Sequence, residues 1–88
     1  MRFLVICRPA AGGDPEEFKR LVPGETAALR DLKANGTLTD AWSPGRPGAI
    51  LMLDVPDADE AASLVGAFPL VQAALITIEI IPLHPIDL

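Results

Sequence analysis

Glu25 lies three, four and seven residues before Ala28, Leu29 and Leu32, on the apolar stripe that these residues make at helical spacing. A carboxylate there is either a charge near a helix start, where the dipole favours it, or a site residue. Held away from water, such an acid has a raised pKa and can take a proton from carbon and hand it back. Glu79 interrupts the apolar run "ALITIEII" and is either a sheet-edge acid paired with Arg2 or Arg8 or a group facing a ligand. His84, the only histidine, suits proton transfer near neutral pH, and equally an exposed or interface position. Arg8 offers a bidentate fork to a carboxylate ligand. Trp42 either lines the mouth of a cavity or caps the core. Arg46 sits in the turn "SPGRPG", where it is solvated or steers an anion. Asp54, before Val55-Pro56, reads as structural. Cys7 is the single cysteine, placed in an apolar run, and reads as a small core residue rather than a nucleophile. No disulfide can form within the chain, and no metal-ligand pair, phosphate loop or Ser-His-Asp arrangement is spelled out.

The elements that must position these side chains follow from breakers and periodicity. Phe3 to Arg8 is apolar and β-branched and ends at Pro9, a first strand. Asp14 is the N-cap of a first helix, with Pro15 at its first position and Glu17 completing a capping box. The helix runs towards Asn35 and stops at Gly36, and Pro23-Gly24 is expected to kink or split it. Thr37 to Trp42 and Ala49 to Val55 form a hairpin across the "SPGRPG" turn. Asp57 caps a second helix with the buried stripe Ala61, Leu64, Val65 and Phe68, closed by Pro69. A fourth strand takes Ala74 to Ile81, after which Pro82 and Pro85 draw the C-terminus out of the sheet. The order β-α-β-β-α-β is the ferredoxin-like α+β unit, one domain over residues 1–88.

One face of the fourth strand (Ala74, Ile76, Ile78, Ile80) suits the helices. The other (Leu75, Thr77, Glu79, Ile81) is only half polar, and neither alternate set of the first strand is wettable. Half of all residues are hydrophobic and the mean hydropathy is +0.35. So small a domain hides only about 60% of its unfolded surface. The expected partner is therefore a second copy, two sheets facing each other as a dimeric α+β barrel around a cavity. The net charge of −5, with seven scattered Lys and Arg, argues against nucleic acid and an anionic membrane. "MRFLVIC" is too short for a signal peptide and Glu79 cuts the C-terminal apolar run below the ~20 residues of a membrane span, so the cytoplasm is expected.

The segments "ETAALRDLKANGTLTDAW", "LDVPDADEA", "FPLV" and the closing "LHP" together resemble the muconolactone isomerase family. Glu25 stands eleven residues before Gly36, then "GT", then a Trp five positions past the Thr. The match covers Glu25 to Pro85 and, weakly, the first strand; YCII-like proteins resemble it more distantly. The resemblance implies this dimeric barrel, obligate dimers or larger rings, and a cofactor-free isomerase that moves a double bond in a small unsaturated lactone carrying a carboxylate, in the breakdown of aromatic compounds. It puts Glu25 and His84 at family places as the catalytic candidates, beside Arg8, Trp42 and Glu79, which the residues themselves offer as substrate-binding candidates in an intersubunit cavity. Where it would put basic residues, this chain has Leu4 and Ile6 on the first strand, Thr39 and Asp40 on the second, and Leu83 before His84. The alternative is a non-catalytic ligand-binding or assembly barrel of the same fold.

Overall fold

A computed structural model describes residues 1–88. Strand β1 (Arg2–Pro9) leads to helix α1 (Pro15–Ala34), then strands β2 (Leu38–Trp42) and β3 (Ala49–Asp54). Helix α2 (Ala58–Gly66), a single turn α3 (Pro69–Gln72) and strand β4 (Ile76–Leu83) complete the chain. The strands form one antiparallel sheet in the order β2-β3-β1-β4. This is the expected α+β topology. The sheet is open in the single chain, so a closed barrel would take a second one.

Local chemistry sets the boundaries. The carboxylate of Asp14 accepts the Glu16 N–H at 3.0 Å, and Asp57 accepts the Glu60 N–H at 2.8 Å, each satisfying an orphan donor of a first turn. Gly36 leaves α1 at φ +83°, which glycine adopts without cost. Pro23 does not split α1 into two elements. Its ring lies on the exposed side, and the helix is held by packing along the opposite face.

Helices cover one face of the sheet. Phe3, Val5 and Cys7 of β1 and Leu51 and Leu53 of β3 point into the core, where they meet Ala61, Val65, Phe68 and Leu70. Two expectations change here. Pro69 does not merely close α2; it starts α3, because its fixed φ suits a first helical position and it has no N–H to satisfy. The turn after α3 holds Ala74 at φ +57°, so β4 begins at Ile76 and Leu75 joins the core instead of the opposite face. At its far end β4 runs through Pro82 to Leu83, paired as Phe3↔Pro82 and Arg2↔Leu83. An edge strand tolerates proline where the missing N–H would have faced outward. Only His84 onward leaves the sheet.

The turn from β2 to β3 is pinned at Gly48, φ +128°, where an added Cβ would come 2.6 Å from the backbone oxygen of Cys7. Neither partner of that clash is a flexible side chain. Gly48→Ala is expected to lower stability by about 2–3 kcal/mol through strain and displaced backbone. A thermal melt should show a drop of roughly 10 °C or more, and an unchanged melting temperature would refute the packing at this corner.

Candidate functional site

Along α1 the inward residues are Phe18, Leu21, Glu25, Ala28, Leu29 and Leu32. The stripe is continuous, with a carboxylate where an aliphatic side chain would complete it. Glu25 is 9% exposed and is the single buried charged residue. Its carboxylate oxygen Oε1 accepts the backbone N–H of Leu70 at 3.0 Å. The geometry explains itself from the sequence. Pro69 packs against α1 at Gly24, where even an added Cβ would meet the proline ring at an ordinary contact distance of 3.5 Å. Phe68 caps α3 with no side-chain hydrogen bond, so the N–H of Leu70 is an orphan that Glu25 satisfies from another helix.

Glu25 borders a cavity of about 200 Å³ between α1, the start of β3, α3 and the start of β4. Phe18, Val22, Leu29, Leu51, Leu70 and Ile76 supply its apolar wall, and Pro47 and Gly48 close one side. Thr26 is the second polar side chain on it. Desolvation raises the pKa of Glu25 above its ordinary value, and the Leu70 hydrogen bond, which favours the ionised form, offsets part of that. The neighbouring Cys7 thiol is pushed up to about 11, first by burial and then by the charge of Glu25. It is protonated at neutral pH and is a core residue, 6% exposed.

A carboxyl group whose pKa is higher in the folded chain than in the unfolded one penalises folding once it ionises. The stability it gives is present below the ordinary carboxylate pKa, is lost as pH rises through the folded value, and stays lost above it. Glu25→Gln, which keeps the shape and an acceptor for Leu70, is therefore expected to melt higher than wild type at pH 7. The advantage should shrink as pH falls towards 4. A gap between the two melting curves that does not change with pH would mean that Glu25 is not desolvated.

The other singled-out residues lie elsewhere. Arg8 Nη1 donates to Glu79 Oε1 at 3.0 Å across β1 and β4, with both side chains more than half exposed. The pair stands on the sheet face away from the helices, Glu79 in the row Trp42↔Ile50↔Ile6↔Glu79 and Arg8 opposite Thr77. Trp42 is 49% exposed at the end of β2 and caps nothing in the core. His84 is exposed and borders a groove with Met1, Arg2, Met52, Leu83 and Pro85. Within one chain Glu25 is thus separated by the sheet from His84, Arg8, Trp42 and Glu79. The expected cavity between two sheets is not where Glu25 points; it faces the chain's own interior, because the stripe it shares is the one that covers the sheet. Asp54 has the structural role read for it, accepting the N-terminal ammonium at 3.3 Å. Thr26, Pro47 and the Leu70 amide were not legible as site groups, since two carry no charge and the third is backbone.

No group of three or more His, Cys, Asp and Glu is arranged to hold a metal ion, and no helix is long and apolar enough to cross a membrane.

None of the curated proteins matches the chain. Among solved structures it is similar to the crystal structure of muconolactone isomerase, at 25% identity and a TM-score of 0.78, covering 99% of this chain and 94% of that one. It also shares its fold with the 5-chloro-2-hydroxyhydroquinone dehydrochlorinase of Burkholderia phenoliruptrix AC1100, in complex with 2,5-dihydroxybenzoquinone (20% identity, TM-score 0.72, 96% and 94% covered). The family model described as muconolactone delta-isomerase matches residues 1–87, which spans every element described above, and the chain belongs to that family.

Proposed function

We propose that this protein is a cofactor-free isomerase that moves a carbon–carbon double bond within a small unsaturated lactone, with Glu25 as the proton carrier. The observation that carries this reading is a single buried carboxylate on the wall of a mostly apolar pocket. Ionised Glu25 takes a proton from the carbon at one end of a three-carbon unit. The electrons of that C–H bond delocalise through the double bond onto the lactone carbonyl oxygen. Protonated Glu25 then returns the proton to the carbon at the other end, and the double bond has shifted with no net change in atoms or charge. A base whose pKa lies above the ordinary carboxylate value binds that proton more firmly between the two steps. The Thr26 hydroxyl, on the same wall, is the side-chain donor available to the carbonyl oxygen. A pocket of about 200 Å³ falls below the roughly 300–1,000 Å³ of drug-sized sites and suits one small ring.

The assay is a proton NMR time course of unsaturated lactones with the purified protein in D2O. Migration of the double bond, with deuterium entering at either end of the three-carbon unit, supports the reading; an unchanged spectrum for every lactone tried refutes it.

One observation favours the second reading, a non-catalytic barrel. The hydrogen bond from Leu70 gives Glu25 a structural occupation as the cap of α3, and a cap needs no substrate. In that case the pocket binds a small ligand or merely tolerates a void.

A further inference from the structure

The wall around Glu25 contains no Lys, Arg or His. Eleven residues line the cavity, and the carboxylate of Glu25 is the one group on it that can carry a charge at neutral pH. No cation of the chain lines the cavity, and Arg2, Arg30 and Lys33 are exposed elsewhere. Arg8 is engaged by Glu79 on the far side of the sheet. Lys19 and Arg20 lie on the exposed side of α1 beside Glu16 and Glu17, at 3.9 and 3.8 Å. Arg46 precedes Pro47 at the rim, yet it is exposed and does not line the cavity. A carboxylate entering this space would shed its water with no cation to receive it, and would meet a second negative charge. Both terms oppose binding. The apolar rim points the same way, since Val22 stays 39% exposed at the pocket edge with no partner in the chain.

We propose that the Glu25 pocket takes a neutral, mostly apolar unsaturated ring and excludes ring compounds that carry a carboxylate. The inference rests on the reading of this pocket as the ligand site, and it assigns the class of ligand. The ring is held by burial against Phe18, Leu29 and Ile76, with its carbonyl oxygen towards Thr26.

The test is a titration of the full-length protein, wild type and Glu25→Gln, at pH 8 with two probes: an alkyl-substituted butenolide and the same ring bearing a carboxymethyl group. Binding is read from the backbone amide signals of Leu70 and Thr26, and double-bond migration is read in the same samples. The neutral probe is expected to bind wild type at least ~10-fold more tightly than the acid. Glu25→Gln should narrow that gap by improving binding of the acid, because one of the two opposing terms is gone. Equal or tighter binding of the acid would overturn the proposal, and would mean that a cation from a second copy reaches the pocket. Failure of the neutral probe to move the Leu70 amide would overturn it too. Neutral binding without migration would sustain the proposal while removing the isomerase reading. Migration of the acid in preference to the neutral ring would remove the proposal and sustain that reading.

Discussion

Glu25→Gln is expected to lower the turnover of an unsaturated lactone by at least ~100-fold, the low end of what a positioned general base contributes. The change removes one property. Glutamine has the same length, its side-chain oxygen can still accept the Leu70 N–H now made at 3.0 Å, and the α3 cap stays in place. What it cannot do is take a proton from carbon and return it. The loss should therefore fall on kcat, with KM little altered, because binding by the apolar wall is untouched. Retained activity would eliminate Glu25 as the proton carrier. The pH dependence gives a second view of the same group. Wild-type turnover should rise with pH as Glu25 ionises, and the midpoint should lie above the ordinary carboxylate range, since desolvation raises the pKa. His84→Ala is the informative companion. Within one chain the histidine stands across the sheet from the pocket, so its loss should leave kcat within a few-fold of wild type. A loss as deep as that of Glu25→Gln would put His84 of a second copy at the pocket.

Much of this arrangement was legible in the sequence, for reasons that can be named. Asp14 and Asp57 are good caps followed by helix formers, so both long helices start where the residues say. Alternation in β1 and β3 separates Phe3, Val5, Leu51 and Leu53 from Leu4, Ile6, Ile50 and Met52, and the fold buries the first set. Proline was the weak guide. Pro23 suggested a kink or split, and Pro69 and Pro82 suggested stops; Pro23 sits on the outer side of a packed helix, Pro69 begins a turn, and Pro82 lies on a sheet edge. Whether a proline ends an element depends on where its missing N–H would have pointed, which is a tertiary fact. Glu25 stood out because an acid on an apolar stripe is costly. Which side of the sheet the stripe covers was not legible, as spacing describes a face without saying what meets it. The partner that fixes the carboxylate, the Leu70 amide, has no side-chain signature at all.

The second large effect is expected on the opposite face of the sheet. Leu4, Ile6, Ile50, Met52 and Ile81 stand there half-buried by one another, in the cross-strand rows Met52↔Leu4↔Ile81 and Ile50↔Ile6↔Glu79. No helix of the chain covers them. The single chain exposes 5746 Å², against about 5,000 Å² for a compact monomer of 9.3 kDa, and it is elongated, 46 × 24 × 24 Å. Surplus surface and an uncovered apolar sheet have one common remedy, a second copy laid face to face. Arg8, Glu79 and Asp40 then form a polar rim around an aliphatic centre. Leu4→Lys tests this at the centre. In a lone chain the lysine can extend its ammonium into water along the open face, so the fold should survive. Between two sheets it buries an unpaired charge twice over, since the symmetric contact repeats it, and the dissociation constant should rise by two orders of magnitude or more. Sedimentation at micromolar concentration should show wild type as a dimer or larger ring and Leu4→Lys as a monomer with an unchanged circular dichroism spectrum. A wild type that sediments as a stable monomer would leave this face without an occupant. It would also confine the pocket chemistry to residues of one chain, which Glu25, Thr26 and the Leu70 amide would then have to supply alone.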